Sequence, residues 1–301
     1  MEAMKILNNC NLCIRNCSID RNSGKVGFCN SSNKLRVAKA YLHLWEEPCI
    51  SGKNGSGTVF FSNCNLKCVF CQNHIISNDG LGKEISIERL SEIFLELQEK
   101  GAHNINLVTP THYVPQIIEA LNIAKNKGLY LPIIYNTNGI DSLDTIKRLN
   151  GYIDVYLPDF KYFNDKYSLK YSKIKGYSKN LLTILEEMFN QVDEPIFNEN
   201  GIIQKGVIIR HLMLPGLLFD SKKVIDTIYN KFGNKVYISL MNQYTPMYDS
   251  IKYPEINKPL NPKHYDSLID YSIELGVKNG FIQDTGTNSK SFIPDFNNEG
   301  V

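Results

Sequence analysis

The sequence predicts an α/β fold, a partial (β/α)6 TIM-like open barrel with an N-terminal cysteine-rich module. Short apolar strand patterns alternate with amphipathic helix patterns from residue 58 to the end of the 301-residue chain, and all eight cysteines lie in the first quarter, up to Cys71. Near-continuous apolar strands are typical of a parallel sheet covered by helices on both faces. Six strand–helix units are fewer than the eight of a closed barrel, so we expect an open sheet.

The chain before the barrel has little regular pattern. Residues 1–30 predict an irregular, loop-rich module, and residues 35–50 predict a short strand-like segment. The Gly/Ser-rich turn cluster Ser51–Gly57 is typical of a boundary. We therefore predict two units, an N-terminal module over residues 1–55 and a partial barrel over residues 56–301.

The barrel strands are predicted from short apolar runs bounded by turn residues. The runs cover residues 58–62, 104–108, 131–136, 152–159, 207–214 and 235–241, with a final short strand in 279–284.

The helices between them are predicted from apolar residues at helical spacing and from end signals. Ser86 and Asp141 are predicted N-caps, and Gly101, Gly128 and Gly151 are predicted to end helices. The segment 193–206 is predicted to be an irregular insertion. The predicted helices cover residues 86–101, 114–128, 141–151, 164–173, 178–192, 220–232 and 261–276.

Charge and hydropathy exclude some classes of function. The formal net charge is +2 and the pI is about 8.0, so there is no electrostatic footprint for nucleic acid or an anionic membrane. No run approaches the roughly 18 apolar residues of a membrane helix, and the N-terminus lacks a signal-peptide pattern. We therefore expect a cytoplasmic protein without nucleic-acid or membrane partners. Disulfides do not persist there, so clustered cysteines are better interpreted as metal ligands or redox groups.

The second cysteine group, Cys64-x3-Cys68-x2-Cys71, offers three thiolates from one loop after the first barrel strand. Four thiolates usually hold a 4Fe-4S cluster, so three local ligands leave one iron open for a substrate or cofactor. The alternatives are zinc with a remote fourth ligand, such as His74 or Cys49, or plain buried cysteines.

The first group supplies a closed set of four ligands, which makes the N-terminal unit a metal-binding module. Structural zinc and an auxiliary iron–sulfur cluster are equally compatible with four thiolates. Cys49, outside both groups, is predicted to be a lone buried thiol. The four ligands are Cys10, Cys13, Cys17 and Cys29.

The three-cysteine spacing, with Phe70 before the last cysteine, resembles the radical S-adenosylmethionine (SAM) superfamily. The stretches "SGTVFFSNCNLKCVFCQN", "YNTNG", "DVYLPDFKYF" and "IIRHLMLPG" resemble the longer relatives of the pyruvate formate-lyase activating enzymes. The resemblance implies a 4Fe-4S cluster whose open iron chelates SAM. It also implies reductive cleavage of SAM to a 5′-deoxyadenosyl radical that abstracts hydrogen.

The resemblance assigns SAM contacts to residues at several strand ends. Phe70 is expected to offer its backbone to the adenine. Thr109 and Thr111, in "VTPT" where the family commonly has Gly-Gly-Glu, are expected to accept from the SAM ammonium. Asn136 and Asn138 lie in "YNTNG", where the activases have Asp-Thr-Asn-Gly. Ordinary turns are the alternative for both stretches.

Three charged residues complete the expected cofactor site. Asp159 and Lys161 match an Asp-x-Lys of the activases, with the carboxylate suited to ribose hydroxyls and the ammonium to the SAM carboxylate. Arg210 interrupts an apolar strand, and its planar fork suits the same carboxylate. A surface pair and a structural salt bridge are the respective alternatives.

The expected function is therefore a radical SAM iron–sulfur enzyme related to the activases of glycyl radical enzymes. Its partners would be a protein substrate of the glycyl-radical-enzyme kind and an electron donor such as flavodoxin or ferredoxin. The substrate can instead be another protein, a peptide or a small molecule. From a different class, a zinc-stabilised, non-enzymatic scaffold also accommodates clustered cysteines.

Overall fold

A computed structural model describes residues 3–283 and 294–301 and is organised around one mixed β-sheet. Among the described residues the sheet has the strand order β10-β9-β8-β6-β5-β4-β2-β1-β3, and β7 pairs with β8 outside this path. The strands are β1 Leu35–His43, β2 Ser56–Phe61, β3 Lys83–Ile85, β4 Ile105–Val108, β5 Ile133–Thr137, β6 Val155–Pro158, β7 Ile196–Phe197, β8 Ile203–Leu212, β9 Tyr237–Met241 and β10 Gly280–Ile282.

In this order, the six strands β2, β4, β5, β6, β8 and β9 and the final strand β10 all run parallel to their neighbours among them. At the other side of the sheet β1 runs antiparallel to β2, and β3 runs antiparallel to β1. The order ends at β10 and β3, so the sheet stays open, which confirms the predicted partial barrel. The strand β1 comes from the predicted N-terminal module and β2 from the predicted barrel, yet they pair in one sheet. The division between residues 1–55 and 56–301 therefore stays a prediction.

The longer α-helices connect and cover the parallel strands, at or near the predicted positions, whereas the short α-helices at residues 48–51 and 74–77 were not predicted. Short 3-10 helices form at residues 3–9, 111–113 and 248–252. The α-helices are α1 Pro48–Ser51, α2 His74–Ser77, α3 Ile87–Glu99, α4 Val114–Asn126, α5 Leu143–Arg148, α6 Asp165–Ser172, α7 Tyr177–Val192, α8 Leu218–Phe232 and α9 Pro262–Leu275.

One predicted helix cap is confirmed and one is wrong. The Ser86 side chain accepts from the backbone amide of Arg89 at the start of α3. At α5 the cap is Ser142. Asp141 is instead fully buried, where the hydroxyls of Tyr135 and Thr137 donate to it at 2.7 and 2.5 Å. A buried carboxylate needs such donors, and these two lie on the strand just before it.

The predicted irregular insertion at 193–206 contains a small antiparallel pairing. Ile196 and Phe197 of β7 pair with Lys205 and Ile203 of β8. This pairing extends β8 back to residue 203, four residues before its predicted start at 207. The polar positions Gln204 and Lys205 hid this extension from a search for apolar runs.

Two packing layers follow from the alternation of side chains along the strands. The larger core lies between the sheet and the helices and includes Leu107, Tyr135, Tyr156 and Ile209. A smaller cluster fills the inner side of the curved sheet. Its members are Cys49, Ile50, Ile134, Val155, Leu157, Ile203 and Ile208. Cys49 is thus buried among apolar side chains, as predicted for a lone thiol.

His211 predicts a pH dependence of stability. It is buried, and its Nδ1 donates to the carbonyl of Phe160 at 2.7 Å. Burial lowers the pKa of His211 to about 4, against the partly opposing hydrogen bond. A depressed histidine pKa means that the unfolded chain binds the extra proton. The neutral His211 therefore contributes about 3 kcal/mol to the free energy of unfolding. This contribution is complete above about pH 6.5 and is lost as the pH falls towards 4.

We expect His211→Asn, whose amide can still donate to that carbonyl, to flatten the fall of unfolding free energy between pH 6.5 and 4. Urea titrations at several pH values measure it. An unchanged pH dependence in the variant would contradict the assignment.

Candidate active site

Polar side chains replace apolar ones where the inner face of the sheet reaches the carboxyl ends of the strands. Side chains two residues apart share a face of a strand. Asn136 therefore follows Ile134, and Arg210 follows Ile208, on the inner side. In parallel α/β sheets this edge is where ligands bind.

A cavity of about 690 Å³ opens at this edge. It brings most of the predicted site residues together, although they come from loops far apart in the chain. Of the predicted residues, its lining includes Cys64, Cys68, Phe70, Cys71, Thr109, Asn136, Asn138, Asp159, Lys161 and Arg210.

The cysteine loop follows β2 directly and has an unusual backbone. Asn63 and Lys67 have φ angles of 73° and 63°, in the left-handed region. This conformation costs energy for a lysine, and such strain is concentrated at functional sites. Cys64 and Cys68 are buried, and Cys71 is partly buried. The loop thus turns all three thiols towards the cavity.

Each of the three sulfurs has a hydrogen-bonding neighbour. Hydrogen bonds to sulfur tune the potential of iron–sulfur clusters and orient the ligands. The neighbours are the Leu66 amide and Asn138 Nδ2, each 3.4 Å from Cys64 Sγ, Ser172 Oγ, 3.0 Å from Cys68 Sγ, and Ser77 Oγ, 3.2 Å from Cys71 Sγ.

Burial raises the pKa of the Cys68 thiol to about 12, and that of Cys71 also rises. A bound metal deprotonates such thiols outright. Within residues 3–283 and 294–301, no three Cys, His, Asp or Glu side chains lie close enough to share one metal ion. In a 4Fe-4S cluster each thiolate binds a different iron, so its ligands need not meet at one point. Three thiols that line one cavity, each with a hydrogen-bonding neighbour, fit this cluster.

Opposite charges line the cavity beside the thiols. Arg210 Nε donates to Asp159 at 2.9 Å, and Lys161 Nζ donates to the other oxygen of Asp159 at 2.6 Å. Arg210 also donates to Glu46 at 3.1 Å and to Asn136 at 2.7 Å. The guanidinium therefore already binds three groups of the chain, as in the structural salt-bridge alternative. Its predicted contact with the SAM carboxylate stays a prediction.

The pKa values follow from burial and these partners. Burial works to raise the pKa of Asp159, but Arg210 and Lys161 outweigh it and the pKa is lowered. Burial raises the pKa of Glu46, with Arg210 opposing. Lys161 has a raised pKa because Asp159 outweighs its desolvation. Asp159 and Lys161 are thus held charged at neutral pH.

Glu46 was not among the predicted site residues. It lies in the loop between β1 and α1, where no periodicity marks it, and it reaches Arg210 across 164 positions of sequence. Asn106 on β4 donates to its second oxygen at 3.1 Å. The only sequence signal was the pair of acids in "WEEP" beside a predicted strand, to which no role was given.

The remaining predicted cofactor residues differ in their surroundings. Phe70 is buried with its ring 5.9 Å from that of Tyr244. Thr109 has a φ of 56° at the end of β4. Thr111 does not line the large cavity. It lies in the 3-10 helix that follows and lines a second, smaller cavity.

This smaller cavity, of about 20 Å³, is lined by the four N-terminal cysteines Cys10, Cys13, Cys17 and Cys29. Burial raises the pKa of the Cys13 thiol to about 12. The predicted ligands are thus neighbours, with Arg15, Arg21 and His112 beside them. Their metal stays a prediction.

An open, mostly parallel α/β barrel with three thiols in the loop after its first parallel strand is the arrangement expected of an enzyme that holds an iron–sulfur cluster. The chain belongs to the radical SAM superfamily, whose sequence profile matches residues 58–227. This agrees with the resemblance noted from Cys64, Cys68 and Cys71. The described residues include no helix long and apolar enough to cross a membrane.

Two curated relatives are similar to most of this chain. The uncharacterized protein MJ0674 of Methanocaldococcus jannaschii is 30% identical over 91% of this chain and 78% of its own length. A cysteine-type anaerobic sulfatase-maturating enzyme of Clostridium novyi is 23% identical over 72% of this chain and 58% of its own length.

Among solved structures, SuiB of Streptococcus suis bound to SAM superposes with a TM-score of 0.51 at 16% identity, over 75% of this chain and 49% of that one. SuiB bound to its precursor peptide SuiA gives 0.50 at 15% identity, over 75% and 47%. These likenesses show the fold. The matched part of the chain spans about half the length of SuiB.

Proposed function

We propose that the protein cleaves SAM reductively and uses the resulting radical to abstract hydrogen from a peptide or protein substrate. The observation that carries the proposal is that three hydrogen-bonded thiols and a network of buried charged side chains line one cavity of about 690 Å³. This volume lies within the usual range of small-molecule sites. When bound at the thiols, a 4Fe-4S cluster supplies the electron for SAM cleavage.

The chain's own residues would hold and orient SAM. The Lys161 ammonium has three N–H donors and donates one to Asp159, so the other two would be available to the SAM carboxylate. The carboxylate oxygens of Asp159 and Glu46 are suited to accept hydrogen bonds from the ribose hydroxyls and from the ammonium group of SAM. Arg210 would act mainly by holding Asp159, Glu46 and Asn136 in place.

A peptide or protein substrate is supported by the mouth of the cavity. Three apolar side chains on its lining are more than half exposed, which is typical of surfaces that bind other chains. SuiB, which shares the fold, is described with a bound precursor peptide. The exposed residues are Leu44 at 53%, Trp45 at 64% and Ile282 at 53%.

Within this class we propose the backbone glycine of a glycyl radical enzyme as the candidate to test first. The support is the resemblance of "YNTNG" and "DVYLPDFKYF" to activase sequences. Flavodoxin or ferredoxin would be the electron donor, in an oxygen-poor cytoplasm. We also propose that the four N-terminal thiols hold a second metal centre. It would be either an auxiliary cluster, whose thiolates bind different irons, or zinc, for which the thiols would have to move closer together than they lie here.

One experiment tests the proposal and its rival. The protein is purified anaerobically, and its iron, sulfide and zinc are counted. It is then reduced with dithionite in the presence of SAM and deuterium-labelled candidate peptides. About four irons per chain indicate one cluster, and about eight indicate that the N-terminal site holds another. Deuterium in 5′-deoxyadenosine identifies the substrate. A zinc-only protein without a SAM-dependent paramagnetic signal would establish the scaffold alternative instead.

Glu46→Gln is expected to weaken SAM binding about tenfold, or ~1.4 kcal/mol. The amide keeps the shape of the side chain but removes the negative charge that lines the cavity beside Arg210. Isothermal titration of the anaerobic protein with SAM measures this change. Glu96→Gln, which alters a surface ion pair with Arg89 on α3, is the matched control. Equal affinity in both variants would exclude Glu46 from the cofactor site.

A further inference from the structure

Arg15 belongs to the N-terminal module but binds the loop of the other cysteine group. It lies between Cys13 and Cys17 in sequence, and its guanidinium carbon lies 3.4 Å from the centroid of the Phe28 ring, next to Cys29. Its nitrogens donate to four backbone carbonyls outside the module. The acceptors are Asn65 at 2.5 Å, Leu66 at 3.2 Å, Ser172 at 3.4 Å and Lys173 at 3.0 Å.

These carbonyls belong to two of the segments that donate to the catalytic sulfurs. The amide of Leu66 donates to Cys64 Sγ, and the hydroxyl of Ser172 donates to Cys68 Sγ. Leu66 lies in the cysteine loop, and Ser172 is the last residue of α6, more than 100 positions later. Arg15 joins the two segments through one planar fork, whose fixed geometry holds both at once.

The backbone of the module is itself anchored beside this site. The amide of Ile14 donates to Ile140, and the amide of Ser142 donates to Leu12, each at 3.0 Å. His112, which lines the N-terminal cavity, donates through Nε2 to the carbonyl of Ser62 at 2.8 Å. These hydrogen bonds hold the backbone around Arg15 in place beside the catalytic loop.

We propose that Arg15 is a positioning residue that sets the reduction potential of the cluster bound by Cys64, Cys68 and Cys71. The inference rests on the proposed function, because it requires that cluster. Reduction adds negative charge, which hydrogen bonds to the sulfurs and a nearby cation both stabilise. By holding two sulfur donors and adding its own positive charge, Arg15 makes the cluster easier to reduce.

The test compares Arg15→Gln, Arg15→Lys and the wild type by titration with a reductant, monitored by electron paramagnetic resonance. Arg15→Gln is expected to decrease the equilibrium constant for one-electron reduction about tenfold, which is ~59 mV to more negative potential. Arg15→Lys keeps the charge but loses the fork, so its potential should lie between the two. Arg89→Gln, which removes a surface arginine from α3, should leave it unchanged.

A second readout uses the cluster-free protein. If Arg15 holds the loop, Arg15→Gln should increase the alkylation rates of Cys64 and Cys68 several-fold, while Cys49 reacts as in the wild type. Where Arg15→Gln does not fold, Arg15→Lys decides by the same two measurements.

The failures are distinguishable. A wild-type protein without an iron–sulfur cluster overturns the proposed function and this inference with it. A wild type that cleaves SAM, with a potential that neither Arg15 substitution shifts, overturns only the role of Arg15.

Discussion

Replacing Cys64, Cys68 or Cys71 with alanine is expected to reduce 5′-deoxyadenosine formation to the level of the enzyme-free control. A 4Fe-4S cluster with one open iron depends on all three protein thiolates, because no further ligand compensates for a lost one. The buried loop would also lose the metal that deprotonates and orders its thiols. Each single variant should therefore lose both the paramagnetic signal of the reduced cluster and SAM cleavage.

Cys49→Ala is the matched control, since Cys49 is a buried thiol outside both cysteine groups. It should keep full iron content at the catalytic site and normal SAM cleavage. Product formation by any of the three loop variants at more than a small fraction of the wild-type rate would show that the catalytic cluster is bound elsewhere.

The second large effect is expected on stability. Arg210→Met should lower the free energy of unfolding by about 3–5 kcal/mol at neutral pH, because it leaves the buried Glu46 without its cation and Asp159 with Lys161 alone. Asp159 and Glu46 both accept from this guanidinium, and their side chains are only 13% and 10% exposed. Methionine fills a similar volume, so the lost charge rather than a cavity dominates the change.

Guanidinium or urea unfolding measures this effect, and the pH supplies an internal check. As the pH falls, the carboxyls that lost Arg210 become protonated, so the deficit in unfolding free energy of Arg210→Met should shrink towards pH 4. The double variant with Asp159→Asn should cost less than the sum of the two single changes. Arg89→Met, which breaks an exposed ion pair, should cost under about 1 kcal/mol. A similarly small cost at Arg210 would contradict a buried network.

The fold could be predicted from the sequence because its signals are local. Apolar runs marked the parallel strands, and the cap at Ser86 marked the start of α3. The strand-end position of Asp159 predicted its place at this edge of the sheet, whereas Arg210 was predicted from the charge it places inside an apolar strand. The pairing of residues 203–205 with β7 lacked an apolar run and was missed.

The missed parts of the site depend on contacts between distant segments. Glu46 meets Arg210 only because α1 follows β1 under the inner face of the sheet. Thr111 shares a short sequence motif with Thr109, yet a 3-10 turn directs it to the other cavity. Arg15 contacts carbonyls 50 and 158 positions away. No spacing rule connects such residues, because the folded chain alone brings them together.

The antiparallel strand β1 has a consequence for how the chain can be divided. It occupies the hydrogen-bonding side of β2, all six residues of which are buried. A fragment beginning at residue 56 would leave that side of β2 as a bare apolar edge, which is the kind of surface on which chains aggregate. Truncation at this point would therefore produce insoluble material rather than a minimal enzyme.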